Sequence, residues 1–572
     1  MATLDEIRHT LAHLLAYAVR EEFLGVKLGI GPVIENGFYY DFQFPDKAPT
    51  DADFAKLEKR MRKLIADALP MTGKEISADD ARSMFADQPF KLELIQDYTN
   101  EGKTLTAYTV GEFTDLCKGG HAENTNEIDP KSFALERVAG AYWKSDEKNP
   151  MLTRIYALAF STQEELDAYR NKIEEAKQYD HRKLGKELDL FVFSELVGPG
   201  LPLFTPKGTT VRDAIDGRIW ELRQAAGYER VDIPHLTKKD LYETSGHWEK
   251  FSNELFRATT REGHEFAIKP MNCPHHTQIY ARKLMSYQEL PQRYANTTKV
   301  YRDEQTGELG GLTRVRSITQ DDAHVFCRSS QVGTEFATIV EIVKTFYGEL
   351  GFSLKLRLSL HDPATPEKYL GTPDIWARAE SDLRDIASTS GFDVTEAPGE
   401  AALYGPKMDF MATDSLGREW QIATIQLDMN LPERFDLVCV NEQGGRERIV
   451  MIHAAIAGSL ERFMAVLLEH TRGALPFRYA PVQVKILTVN DTVMAYAEEV
   501  AEQLHKLDVR TEIDSRNESI GKKIRSAELE KSPFTLVIGG KEADARMVAV
   551  RKRSEGDKGV MSIEQFVEMM RG

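Results

Sequence analysis

Arg302, Arg314 and Arg316 bracket a glycine-rich turn in the stretch YRDEQTGELGGLTRVRSITQDDAHVF, residues 301–326. Arginine offers permanently charged, planar forks of donors that match phosphate oxygens. The segment Thr306-Gly-Glu-Leu-Gly-Gly311 reads as a tight loop between two strands. Such a hairpin could grip a nucleotide triphosphate from two sides, and the chain has no Walker-type loop to do so in another way.

Histidines and cysteines supply the other chemistry. His9-Thr-Leu-Ala-His13 sets two imidazoles one helical turn apart on one face, and Asp115-Leu-Cys117-Lys-Gly-Gly-His121 adds a thiol and a third imidazole. On chemistry alone, HxxxH with CxxxH reads as a zinc site; inert buried histidines are the bland alternative. Cys273, His324 and His453 lie far apart, whereas compact zinc motifs pair their ligands locally. Spacing therefore nominates no metal there, and singly they read as a small buried cysteine and core histidines.

These residues need elements to position them. Ile7, Leu11, Leu14, Leu15 and Ala18 recur at helical spacing, which predicts an N-terminal helix over residues 3–20. Residues 153–179 end in a charged helical pattern and read as a connector. The next block alternates strands such as Leu354-Lys-Leu-Arg-Leu-Ser-Leu360 with longer helices, until Leu475-Pro-Phe-Arg-Tyr-Ala-Pro481 punctuates it. A run of strand and helix signals from Val484 onward predicts a small α/β domain with a largely parallel sheet. The expected organisation is a domain over 1–152, a linker over 153–179, a large domain over 180–478 and a last domain over 479–572.

A chain of 572 residues exceeds one core. Its net charge of −17 argues against indiscriminate nucleic-acid binding, although basic residues outnumber acidic ones between Arg516 and Arg553, a plausible RNA-facing surface. No apolar run reaches the ~20 residues that span a bilayer, and the N-terminus lacks a signal-peptide pattern. Four cysteines make no disulfide framework, so a reducing cytoplasm is the expected setting.

The arginine hairpin, Lys269-Pro-Met-Asn-Cys273-Pro, and His453-Ala-Ala-Ile-Ala-Gly458-Ser-Leu-Glu-Arg462-Phe together resemble the core of the class II aminoacyl-tRNA synthetases, in their threonyl branch. The hairpin resembles motif 2 and Gly458–Arg462 motif 3. Asp232-Ile-Pro234, after the segment 209–228, resembles motif 1. The resemblance implies an α+β editing domain, a catalytic domain on an antiparallel sheet and a C-terminal α/β anticodon-binding domain. It implies threonine activation by ATP with Mg²⁺, transfer to the 3′ end of tRNA(Thr), and hydrolysis of mischarged Ser-tRNA(Thr).

Carried over residue by residue, Cys273, His324 and His453 are the expected Zn²⁺ ligands. Asp322 and Tyr404, with Gln320, Gln421 and Gln426, surround threonine. Arg302, Glu304, Arg314, Ile318 and Arg462 meet ATP, and Lys407 is a further active-site position. His9, His13, Cys117 and His121, with Asp115, Tyr40 and Lys91, form the editing site, which in this branch works without metal. Asn517, Glu542 and Arg551 read the anticodon. A homodimer built on motif 1 is expected, with no membrane contact. The chain is expected to depart from the pattern in lacking the leading ubiquitin-like domain, because the residues resembling the editing module begin near its start. It departs also at Ile318 (an adenine-stacking aromatic), His275 (glycine), Ala454 (a frequent arginine) and Gly120 (proline), which together predict a modified pocket.

Overall fold

The computed structural model describes residues 2–571 apart from Glu147 and Leu416. The chain forms two compact units, Met1–Glu175 and Ala176–Gly572.

In the first unit, helix Leu4–Glu22 starts at a capping box in which Thr3 and Glu6 satisfy each other's backbone N–H. The expected stripe of Ile7, Leu11, Leu14, Leu15 and Ala18 is buried, and so are Ala12, Ala16 and Val19. Strand Gly37–Gln43 and helix Phe54–Ala66 both pack against the helix. The larger sheet runs Lys27–Leu28, Gly37–Gln43, Met151–Ala159, Phe133–Tyr142, with Val33–Ile34 paired to Gly37–Gln43. A second sheet joins Met71–Glu75, Thr106–Val110 and Phe113–Leu116.

One expected boundary moves. Strand Met151–Ala159 lies between Gly37–Gln43 and Phe133–Tyr142, so residues 153–159 are sheet and not linker. The helical connector is Gln163–Gln178, and its first part packs Leu166 and Tyr169 on Ala134, Leu158 and Phe160. The charged helix that follows had masked a strand whose alternation shows in Ile155, Ala157 and Ala159.

The second unit is built on an eight-stranded sheet. Its order is Glu229–Arg230, Gln292–Tyr301, Ser317–Cys327, Val450–Ala455, Glu419–Asp428, Lys407–Thr413, Ser353–Leu360, Val394–Pro398. Pairing is antiparallel except at the two edges. Helices Pro206–Ala225, Val332–Gly348, Pro373–Thr389 and Leu460–His470 contribute to a core that buries one face, through Ala323, Val325, Ile425, Leu427 and Ile452. The alternate positions point the other way, and that face carries Asp322, His324 and His453 beside a smaller apolar cluster that includes Phe326 and Met451. From residue 484 a five-stranded sheet follows, in the order Thr511–Asp514, Val484–Thr488, Phe534–Ile538, Val548–Lys552, Gly556–Met561. Its first three strands are parallel and the last two are antiparallel additions, so the sheet is less parallel than predicted.

Candidate active sites

Register brings the distant histidines together. His324 stands opposite His453 across two central strands, and Cys273 opens helix Cys273–Tyr280 above them. The three donor atoms lie within 4.8 Å of one another; Cys273 and His324 are buried, and His453 is nearly so. His453 Nε2 faces the Asp428 carboxylate at 2.9 Å. A carboxylate only accepts, so the proton sits on Nε2 and Nδ1 keeps a lone pair. His324 Nδ1 meets His276 Nδ1 at 2.8 Å, which lets His324 donate there and leaves its Nε2 unprotonated. The two remaining nitrogens, His324 Nε2 and His453 Nδ1, then face each other at 3.0 Å.

Two lone pairs opposed at that distance fit a cation, since a tetrahedral site with ~2.0 Å bonds to nitrogen has an edge of ~3.3 Å. Burial holds His324 far below the ordinary imidazole pKa, as a neutral ligand requires, and does the same to its partner His276. Burial pushes the Cys273 thiol well up, so a metal binding here would displace its proton. The Asp428–His453 pair would supply the carboxylate that metal sites place behind a ligating imidazole.

The expected triphosphate residues share one space. Arg302, Glu304, Arg314, Ile318 and Arg462 all line a cavity of about 660 Å³ between the hairpin and the start of helix Leu460–His470. Arg314 pairs with Glu304 at 2.7 Å and with Glu308 at 3.1 Å. Arg302 Nε is buried without a partner. Burial lowers the pKa of Arg462, a cost that an anion in the cavity would relieve. Arg316 differs from its neighbours, because its Nε donates to the Glu304 carbonyl at 2.9 Å and so braces the loop. The hairpin loop itself spans 302–316 between the two strands, with a short helical turn at Thr306–Glu308, and is longer than a tight turn.

The expected threonine residues divide. Asp322 accepts from Asn272 Nδ2 at 3.0 Å, and its other oxygen is 3.7 Å from His324 Nε2. The Tyr404 ring lies 5.0 Å from that of His453, and Gln426 is in register with His453. Gln320 lines the arginine cavity. Gln421 joins a separate cluster, donating to Asp409 at 2.8 Å and accepting from Arg357 at 3.1 Å. Lys407 is in that cluster too, 3.0 Å from Asp409.

In the first unit a cavity of about 440 Å³ is lined by His9, His13, Tyr40, Lys91, Asp115 and Cys117, among others. His121 stacks on His9 with ring centres 4.1 Å apart, and the donors of His9, His13, Cys117 and His121 lie within 4.8 Å. His9 donates from Nδ1 to the Gly120 carbonyl at 3.1 Å, and its Nε2 faces Cys117 Sγ at 3.2 Å. Burial lowers His13 to about 4 and raises the Cys117 thiol to about 11. Beneath them Asp115 takes Lys91 Nζ at 2.5 Å and the Tyr40 hydroxyl at 2.5 Å, all three buried. The donor set would accommodate a metal, and it equally suits neutral imidazoles around a thiol.

Comparisons with known proteins agree with this geometry. Residues 256–471 match the class II tRNA synthetase core domain (G, H, P, S and T), and 483–572 an anticodon binding domain. Residues 105–156 match the threonyl and alanyl tRNA synthetase second additional domain. A threonine–tRNA ligase of Porphyromonas gingivalis is 47% identical over 569 residues, covering 98% of this chain and 86% of that one. One of Gloeobacter violaceus is 46% identical over 99% of this chain and 91% of its own. The chain belongs to the threonine–tRNA ligase family.

It joins threonine to tRNA with ATP, and its second additional domain adds editing. A solved threonyl-tRNA synthetase fragment from Cryptosporidium parvum superposes with a TM-score of 0.66 at 36% identity, over 68% of this chain and 98% of that one. A prolyl-tRNA synthetase of Giardia lamblia, at 18% identity and a TM-score of 0.55, shares the fold.

Within this ligase the departures acquire places. Ile318 lines the large cavity, and Trp420, which sequence reasoning missed, lines it too, with the Arg462 guanidinium 5.9 Å from its ring centre. Gly120 has φ +85°, which proline cannot adopt. His275 is buried with both ring nitrogens unpartnered. Ala454 points away from the site into the helix-covered core, so it does not line the pocket. His247 was also missed: it is fully buried, its Nε2 3.9 Å from Cys273 Sγ and its ring 6.0 Å from Tyr404. A lone histidine in Ser245-Gly-His247 gives no signal without the fold.

The anticodon candidates lie in and beside the last sheet: Arg551 in a strand, Asn517 in a loop and Glu542 in helix Gly540–Ala545. Asn517 and Glu542 follow the C-terminal ends of strands Thr511–Asp514 and Phe534–Ile538, while Arg551 is in register with Thr535. Asn517 is exposed, Glu542 accepts from Gly539 N at 2.9 Å, and Arg551 is 3.7 Å from Glu528.

Proposed function

We propose that the ligase selects threonine through one Zn²⁺ held by Cys273, His324 and His453. When bound, the ion supplies a Lewis acid for the amine and β-hydroxyl of threonine, and valine lacks the hydroxyl. The opposed imidazole nitrogens at 3.0 Å beside a buried thiol carry this reading. Asp322 accepts the substrate hydroxyl, and Tyr404, Gln320 and Gln426 close the pocket. Gln421 and Lys407 act from the Asp409 cluster one strand further along.

Arg302 turns its free Nε to the α-phosphate and the threonine carboxylate. Arg314 exchanges Glu304 and Glu308 for the phosphates that arrive with Mg²⁺, while Arg462 holds the far end of ATP and Glu304 and Ile318 meet the adenine. The carboxylate oxygen attacks the α-phosphorus, pyrophosphate leaves, and the terminal tRNA hydroxyl then displaces AMP. These groups align and neutralise charge, which is what such a displacement needs.

Serine carries the same amine and hydroxyl, so the first unit removes it. His13, neutral at pH 7, accepts a proton from water in the cavity, and His9 and His121 orient that water without a metal. The Cys117 thiol, raised to about 11, is a poor nucleophile at neutral pH, which favours water as the attacking group. Asp115, Tyr40 and Lys91 form the floor. Asn517, Glu542 and Arg551 meet unstacked anticodon bases.

The protein acts as a cytoplasmic homodimer. Support comes from four unpaired cysteines and from an apolar hairpin in which Val192, Phe193, Leu196, Val197 and Leu203 are exposed. No helix among the described residues is long and apolar enough to cross a membrane.

Threonine-dependent pyrophosphate exchange, with zinc counted per chain, tests the central reading. One zinc is expected, lost in Cys273→Ser together with rejection of valine; full selectivity in zinc-free protein would end it.

A further inference from the structure

Asp321 sits between Gln320 and Asp322, so strand alternation turns it to the opposite face, into the core under the helices. It is fully buried there. Arg223, also buried, comes down from helix Pro206–Ala225 and places NH1 2.5 Å from Asp321 Oδ1. The other oxygen, Oδ2, accepts from Ile456 N at 2.8 Å and Ala457 N at 2.9 Å, and Asp321 N donates to the Gly458 carbonyl at 2.8 Å. Arg223 also donates from NH2 to the Ala454 carbonyl at 3.0 Å.

This pair clamps the turn 456–458 onto the strand that carries Gln320, Asp322 and His324. The turn leads directly into the large cavity. Gly458, Ser459 and Arg462 line it, and Ser459 Oγ caps helix Leu460–His470 by accepting from Arg462 N at 3.1 Å. Gly458 has φ +64°, so the chain reverses here in a conformation that fixes where Arg462 emerges. A buried ion pair is weak support for stability, since apolar residues of the same volume often serve as well. Holding two backbone donors and a carbonyl in one geometry is a different task.

We propose that Arg223 is a positioning residue for threonine activation, holding Asp321 so that the turn 456–458 delivers Arg462 to the nucleotide. This rests on the reading of that cavity as the ATP site. Position 454 could supply the same guanidinium by another route. Ala454 stands opposite Ala323, two residues from Asp321 on the same face, a diagonal neighbour within reach of a long side chain. Arginine is expected there from the family resemblance. In this chain the cation comes from the helix instead of the strand.

The test is pyrophosphate exchange by the full-length enzyme, with active sites titrated so that only folded molecules count. Arg223→Leu is expected to raise KM for ATP by about tenfold or more, with KM for threonine much less affected. Arg223→Lys, which keeps charge without the fork, falls between. Adding Ala454→Arg to Arg223→Leu is expected to bring KM for ATP back to within about threefold of the parent. A loss of stability alone would lower the titrated fraction and leave KM unmoved. Arg462→Ala is the control: if it leaves KM for ATP unchanged, the ATP reading of the cavity fails. If Arg462→Ala raises it and folded Arg223→Leu does not, or the double variant is no better than the single one, the positioning role fails. Should Arg223→Leu not fold, the double variant decides, by folding with near-parental KM or by failing to.

Discussion

Asp428→Asn should weaken zinc binding while leaving the fold in place. Asp428 is fully buried; Oδ2 faces His453 Nε2 at 2.9 Å, and Oδ1 accepts from Asn430 N at 2.7 Å and Leu431 N at 2.9 Å. Those two backbone donors fix the orientation of an asparagine, because its oxygen must stay with them and its NH₂ must turn to His453. An NH₂ donates, so Nε2 has to become the acceptor and the imidazole proton moves to Nδ1, the atom aimed at the metal position. Binding zinc then requires either the minor tautomer or a flipped amide that sets N–H against N–H. Loss of a partner behind a ligating histidine typically costs 10–100-fold in affinity, which is about 1.4–2.8 kcal/mol. Competition against a chelator of known zinc affinity measures it directly, and the threonine-to-valine ratio in pyrophosphate exchange should fall in step at limiting zinc. A folded Asp428→Asn enzyme that holds zinc within twofold of the parent would refute the tautomer reasoning and weaken the assignment of His453 as a ligand.

Lys91→Met leaves Asp115 buried beside Tyr40 without its cation. Breaking such a pair costs ~3–5 kcal/mol, so the first unit should unfold at lower denaturant and Ser-tRNA deacylation should drop while pyrophosphate exchange persists; an unchanged unfolding midpoint would contradict the pairing. His13 titrates at about 4 in the fold because burial disfavours its charge. The unfolded chain, near pKa ~6.5, binds more protons in between, so stability is full above pH ~6.5 and declines by about 3 kcal/mol as pH falls towards 4. His13→Asn should flatten that slope in acid melts of the intact protein, and an unaltered slope would assign the effect elsewhere. Trp420→Ala should raise KM for ATP several-fold with little change in KM for threonine, if the indole rather than Ile318 provides the aromatic wall; equal changes in both would point to general disruption of the sheet.

The domains and their order were legible because strong local signals mark them: the stripe from Ile7 to Ala18, the punctuation at 475–481 and the apolar strand at Val484. The boundary at 152 failed because a strand buried between two others was followed at once by a charged helix, and composition averaged over both. The arginine-lined cavity was legible as a set of residues, since Arg302 through Ile318 share one hairpin and Arg462 belongs to a short motif of its own. Trp420 and His247 were not, because each reaches its site through a strand or turn that carries no spacing relation to the others. Lys91, Asp115 and Tyr40 came only from resemblance, yet the structure joins them by two contacts of 2.5 Å.

The pair Asp321-Asp322 shows how much hangs on alternation. In sequence the two are adjacent aspartates next to a glutamine, and only the family resemblance singles out Asp322. The strand separates them absolutely: Asp322 joins Gln320 and His324 on the open face, and Asp321 enters the helix-covered core where only a partner such as Arg223 makes a charge tolerable. The same rule sends His453 to the site and Ala454 to the core. On the proposed reading, a substitution at 454 therefore acts on catalysis only through what lies behind the sheet, while one at 453 or 322 acts at the proposed threonine pocket. The consequence is asymmetric in kinetics. Changes on the open face should alter which amino acid is chosen, whereas changes at Arg223, Asp321 or Ala454 should alter how well ATP is held and leave the choice between threonine and valine intact.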